Sequence, residues 1–438
     1  MAGKPSDIAE AAVKLRPAGA DMTVRVSASA RGHTRFARSE ITSTGDVDDI
    51  NVNVQVAFGR RVASADANQS DPASLRALVD RAARMARVSP ENPEHMPPLP
   101  PQKYRPAAPA FDPAAAQLDA PARAAAVQAC VGALPDKDVA AAGFYEHTAT
   151  TRALASTTGV RATHAATSLS LTMTARTADG TGSGWGGIYS HRAGDVDPVL
   201  VARTAIDKAT RSRAPRRLDP GRYTVVLEPA AVAELLRFFT FALDARRADE
   251  GRSFFSRPGG GTKVGDKIFP DLVTLRTDPA DPLNPAAPYA DDGLPLGPVT
   301  WIDKGTVTAL RYSRYWADKQ KHAPTGNPTN YHLLGGTTPA ADLVKGIKRG
   351  VLVTRFFYIR LVDPQSVLAT GLTRDGVFLV ENGEIVAPVQ NFRFNESPVI
   401  MLKNADALSV ATVRTEGGAR VPAIRTHEFN LASISEAV

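Results

Sequence analysis

The chain has 438 residues, of which 43% are hydrophobic and 22% charged, with a formal net charge of +7. That length exceeds one ordinary domain and makes two or three the expectation, with the composition of a globular chain. The lone cysteine, Cys130, excludes a disulfide framework or a cysteine-rich metal site, and its Ala-rich helical setting marks a buried structural thiol.

No apolar run is long enough to span a membrane as a helix, so no membrane partner is expected. The first residues, MAGKPSDIAEAAVKLRPAG, hold no apolar signal-peptide core, which makes the cytoplasm the expected location. The basic residues are dispersed. Only RSRAPRR at 211–217 clusters, and no aromatic stacking motif lies beside it, which argues against nucleic acid as a partner.

The pattern predicts an α+β protein. Residues 1–96 read as an α/β sheet-and-helix domain. Asp7 is placed to cap a first helix with Glu10 as its capping-box partner, and Ile8, Ala12 and Leu15 share a face. Three strand-like runs follow: Met22, Val24 and Val26 in alternation, RFARSEITS, and DINVNVQVAFG, whose Ile50, Val52, Val54, Val56 and Phe58 keep period two. Asp71 then caps a helix with Pro72 at its first position and a stripe of Leu75, Leu78, Val79, Ala82 and Met85.

Residues 97–113 form a proline-rich connector within MPPLPPQKYRPAAPAFDP, favouring extended conformation. Residues 114–219 read as a middle α+β domain: an Ala-rich helix near 115–134, two strand-like segments and a helix over 197–211. Residues 220–438 read as mostly β. A buried strand (Tyr223, Val225 and Leu227 alternating with Thr224 and Val226) runs through Pro229 into an apolar helix. WIDKGTVTALRYSRYW, RGVLVTRFFYIRLVD and GVFLVENGEIVAPVQNF read as strands whose Asp-Gly, Asn-Gly and Lys-Gly pairs mark hairpin turns.

The chemistry-bearing residues assemble no recognisable catalytic set. No two of the eight histidines fall within one helical turn, as a helical metal pair requires. GTGSGWGG carries Gly182, Gly184 and Gly187 at G-x-G-x-x-G spacing, but IYSHR follows instead of a helix; a glycine-rich hairpin, or a close approach to another chain, is the expectation. In PGGGTKVGDK, Asp266 stands where a P-loop needs lysine, and Ser183 lacks the first glycine of a nucleophile elbow. His322 and His332 flank a loop, and with His427 they are the remaining candidates for an unconventional hydrolase site.

Several segments in order resemble the TldD/PmbA family, also called modulators of DNA gyrase. RFARSEI and GRRVASADANQSDPASLRALVDRAARMAR are similar to the family's N-terminal domain, and PGRYTVVLEPAAVAELLRFF to the start of its C-terminal domain. EGRSFFSRPGGGTKVGDKIFPDLVTLRTDP, ADDGLPLGPVTWIDKGTVTAL, GNPTNYHLLGG, RGVLVTRFF and GVFLVENGEIVAPVQNFRFNES follow in family order. The resemblance implies a peptidase assembly in which one subunit holds zinc on HExxxH plus a cysteine near the C-terminus, with the glutamate as general base on a zinc-bound water.

Aligned on VVLEP, the two histidines and the glutamate fall at Arg237, Ala242 and Phe238, and the cysteine falls near Arg414. The resemblance therefore implies the PmbA/TldE-like type of subunit: no catalytic residue, metal or cofactor in this chain, and zinc in a TldD-like paralogue. The expected partners are that paralogue in a heterodimer, or a second copy in a homodimer, and unfolded peptide held as an added β-strand. The alternative is a stand-alone peptide-binding or scaffold protein without proteolysis.

Overall fold

The computed structural model describes residues 3–135 and 138–435. The first half of the chain builds one six-stranded antiparallel sheet in the order β3-β2-β1-β4-β5-β6. Its strands are β1 (Asp21–Ala37), β2 (Glu40–Phe58), β3 (Arg61–Ala67), β4 (Val139–Ser156), β5 (Arg161–Thr177) and β6 (Ser183–Ser190). The β1–β4 pairing crosses the proline-rich connector, setting Val24 opposite both Val54 and Ala155. Period-two alternation gives the sheet two distinct faces.

Helices cover one face. α1 (Pro5–Lys14) and α2 (Pro72–Val88) pack over Met22, Val24, Val52, Val54 and Val56, all at most 1% exposed. At the sheet's other end, α3 (Pro113–Ala116), α4 (Ala120–Gly132) and α5 (Pro198–Arg211) pack over Phe36, Leu169, Leu171 and Met173. Cys130 lies in this second core, fully buried, and burial pushes its thiol up to about 11.

Glycines decide how α5 seats. A Cβ on Gly182, Gly184 or Gly186 would lie 2.2–2.3 Å from the backbone carbonyls of Ala209, Ala205 and Val201. The glycine pattern is thus a strand face pressed against a helix of the same chain. Gly187 points its Cβ position at the Trp185 ring and plays no part in that contact.

The second half centres on β7 (Gly221–Leu227), which leads through Pro229 into α6 (Pro229–Ala242), as its sequence predicts. A short α7 (Ala245–Asp249) follows, then β8 (Leu275–Thr277), β9 (Val299–Asp303), β10 (Thr306–Val307), α8 (Arg314–Gln320) and β11 (Tyr331–Leu333). The remaining elements are β12 (Arg349–Asp363), β13 (Leu368–Glu381), β14 (Glu384–Pro388), β15 (Phe392–Glu396), α9 (Pro398–Lys403), β16 (Ala405–Arg414) and β17 (Arg420–Ile434). The pairings β7–β12–β13–β15–β17–β7 close on themselves, which leaves those strands no open edge. Phe356, Phe394 and Phe429 cluster in its core with ring centroids 4.4–5.9 Å apart.

Several local expectations are corrected. Lys4, not Asp7, precedes the first helix, because Pro5 starts it; Glu10 pairs with Arg161 instead of closing a capping box. RFARSEITS is not one strand but the β1–β2 turn, with Arg38 and Ser39 at φ 52° and 64°. Met85 is 45% exposed, and Ala86 takes its place in the α2 stripe. Val226 is buried too, because β7 has a second small core on its far face. RYSRYW turns into α8, capped by Ser313. Asn382-Gly383 and Lys304-Gly305 do make turns, but Asp375-Gly376 is an irregularity inside β13.

The seating of α5 gives a direct test. Gly184→Ala should destabilise the fold by about 1–3 kcal/mol in chemical denaturation, as overpacking does, because helix backbone must move. Gly132→Ala, where a Cβ would meet nothing within 4 Å, should be neutral or stabilising.

Candidate functional site

Helix α6 has two faces. Val232, Leu235 and Phe239 are fully buried in the core, while Ala230, Glu234, Arg237 and Thr240 recur every three to four residues, with Ala233 beside them, along a cavity of about 650 Å³. Trp185 and Tyr189 form the facing wall, projecting from the side of β6 opposite the glycines. Lys208 of α5, Tyr331 of β11, Arg355 of β12 and Arg414 at the end of β16 complete it, with Glu416 beyond. The cavity therefore lies where the first sheet meets the second half of the chain.

Specific contacts hold that junction. Ser183 donates to Asp375 Oδ1 at 2.6 Å, and Asp375, 3% exposed, also faces Arg355 at 3.5 Å. Arg355 in turn lies over the Trp185 ring at 4.8 Å. Lys208 pairs with Glu228 at 2.5 Å, joining α5 to the start of α6. The buried Asp-Gly irregularity of β13 is thus what the junction grips.

Inside the cavity the charges are unevenly satisfied. Burial pushes Glu234 up to about 7, with Glu416 adding to the rise; Arg355, Arg237 and the Phe356 N–H oppose it. Glu234 Oε2 is buried without a protein hydrogen-bond partner, as is the Tyr331 hydroxyl. Tyr331 is pushed up to about 12 by burial, against the pull of Arg311, and Tyr189 is raised by burial and by Glu416. Arg414 is lowered by burial alone, and its Nη1 lies 3.4 Å from His191 Nδ1.

Arg237 and Arg414 both line this cavity. Phe238 instead packs against the main core, with the Arg237 guanidinium over its ring at 4.7 Å, and Ala242 is buried in that core. The histidine candidates do not converge: His322 stacks on Tyr312, His332 faces Asp281 at 3.3 Å, and His427 lies 2.9 Å from both Asp406 and Thr224. None of the three lines this cavity. Among the described residues, no group of three or more His, Cys, Asp or Glu side chains is arranged to hold a metal ion.

Sequence reasoning missed Glu234, Tyr189, Arg355 and Tyr331. Glu234 had a signal, being the one acid between Ala231 and Ala242, in an otherwise nearly apolar helix. The other three come from distant strands, and only the fold unites them.

The architecture is that of a metallopeptidase-related α+β protein. Family models match the chain in order: the PmbA/TldA metallopeptidase domain 1 at residues 23–86, its central domain at 112–213 and its C-terminal domain at 220–433. The chain belongs to the PmbA/TldD family. A metalloprotease of Methanothermobacter thermautotrophicus is 23% identical over 265 residues, and the match spans 56% of either chain, little more than half of that relative.

Among solved structures, TldE from Thermococcus kodakarensis superposes with a TM-score of 0.87 at 17% identity, covering 98% of this chain and 99% of its own. Candidate modulators of DNA gyrase from Thermotoga maritima and Bacteroides thetaiotaomicron give 0.82 and 0.85, each at 17% identity. They cover 94% and 98% of this chain, and 96% and 98% of their own. At such identities the likeness defines the fold.

Glu234 makes stability depend on pH. Its folded pKa is raised from 4.5 to about 7, so the folded state binds the proton more tightly than the unfolded chain. The resulting stabilisation is full below pH 4.5 and is lost as pH rises through 7. Glu234→Gln should abolish this slope. The variant should gain on the order of 3 kcal/mol relative to the parent between pH 4 and pH 8, read from urea denaturation at each pH. A difference that stays constant with pH would contradict the assignment.

Proposed function

We propose that this chain is a PmbA/TldE-like subunit that carries no zinc of its own and completes a peptidase with a zinc-bearing TldD-like paralogue, holding unfolded peptide for degradation or maturation. The observation that carries this is the pair of guanidinium groups facing one cavity. Arg237, where the family resemblance aligns a zinc-binding histidine, and Arg414, near which it places the cysteine, both line it. A guanidinium has no lone pair to give and stays charged, so two of them repel a dication. Phe238, where the general base would align, offers no proton acceptor.

Other features support the binding half of this reading. The cavity is walled by aromatic rings and by β6, which ends the first sheet and could receive an extended peptide alongside it. Phe357, Tyr358 and Val362 of β12, 41%, 65% and 55% exposed, supply apolar surface suited to a partner subunit.

Co-expression with a paralogue containing an intact HExxxH should yield a stable complex that cleaves unstructured peptides. Metal analysis of the separated subunits should find zinc in the paralogue alone. Stoichiometric zinc in this chain purified by itself would overturn the proposal. A stable homodimer that ignores the paralogue would favour the stand-alone scaffold.

A further inference from the structure

The proline-rich connector takes no part in the 650 Å³ cavity, and its residues 97–109 form neither helix nor strand. Its prolines dictate a conformation all the same. Each ring fixes its own φ at about −65° and pushes the residue before it into extended geometry. Pro97, Pro98, Pro100, Pro101, Pro106 and Pro109 thereby favour polyproline II, a helix of about three residues per turn. Exposure follows that period. Pro97, Pro100, Lys103, Pro106 and Pro109, each three residues from the next or the last, are all exposed. On the other two edges only Pro101 and Arg105 are exposed, and the rest are half-buried.

The inward edges are anchored to both halves of the molecule. Leu99 and Tyr104 pack against Leu154, Val160 and Tyr289. The Tyr104 hydroxyl donates to Gly293 O at 2.9 Å, and Arg314 Nη2 donates to Pro97 O at 2.7 Å. The Thr158 hydroxyl donates to Leu99 O. The outward ridge is therefore held in shape before anything touches it.

A spacer needs only an extended backbone, and any polar residue would serve at its outward positions. Here four of the five outward residues are proline rings and the fifth is Lys103. A fixed row of rings has little conformational freedom left to lose on binding. Lys103 and Arg105, both exposed, form no ion pair among the described residues. The complement of such a ridge is a groove lined by aromatic rings, with carboxylates beside it for the two cations. The same ridge on a second copy is no complement, because it repeats the cations and has no groove. We propose that residues 97–109 form a docking ridge for a partner domain that reads polyproline II through an aromatic-lined groove with an acidic rim.

The test titrates the full chain with three purified domains that read polyproline II, an SH3, a WW and an EVH1 domain, by isothermal calorimetry. At least one should bind. Pro100→Ala should weaken that binding by about tenfold, as truncating an anchoring residue does. Lys103→Glu should weaken it too and flatten its dependence on salt. That exposed substitution keeps the test decisive even if the proline variant folds poorly. A free peptide of residues 95–110 should bind no more tightly than the folded chain, since it must order itself first. Absence of binding by all three domains, or binding indifferent to both substitutions, overturns the proposal. Tighter binding by the free peptide also overturns it, because the folded chain would then be hiding the ridge.

Discussion

The close seating of α5 on β6 is the constraint from which the cavity follows. Three glycines on alternate positions let helix backbone reach strand backbone at a distance no Cβ would tolerate. The same alternation turns Trp185 and Tyr189 to the opposite face, where they become a cavity wall. Seating α5 also delivers Lys208 to Glu228 at the start of α6, and Ser183 to the buried Asp375. One short strand thereby joins the two sheets and shapes the space between them.

That space is electrostatically unusual for a family named for metallopeptidases. Three guanidinium groups, those of Arg237, Arg355 and Arg414, face it, the part-buried Glu234 carboxyl has its pKa raised to about 7, and Glu234 Oε2 and the Tyr331 hydroxyl lack protein partners. Buried polar groups normally find hydrogen-bond partners, so these unsatisfied atoms set the cavity wall apart from the rest of the core. Arg237 illustrates the balance: its guanidinium covers Phe238 and lowers the cost of ionising Glu234.

Much of this was legible in the chain because local physics dominates there. The alternating Val52, Val54 and Val56, the Asp71-Pro72 start of α2 and the VVLEP strand–helix turn each specify their own element. Errors came where a neighbour outweighed the local pattern. RFARSEITS holds two strand ends and a turn made by two non-glycine residues at positive φ, a conformation composition rarely announces. Asp375-Gly376 reads as a hairpin turn but is a buried irregularity held by Ser183 and Arg355, partners distant in sequence. The site followed the same rule: Arg237 was reached through the family alignment and Glu234 stood out as the lone acid of its helix, whereas Tyr189, Tyr331 and Arg355 acquire meaning only when the sheets meet.

The central claim is that this cavity takes peptide at the place where a catalytic relative would hold metal. Crystals of the full chain equilibrated with zinc and an unstructured decapeptide, measured at the zinc absorption edge, test it most directly. The account predicts peptide density between α6 and β6 and no anomalous peak within bonding distance of the Arg237–Arg414 cavity wall. An anomalous zinc peak inside that cavity, coordinated by this chain's own side chains, would contradict it.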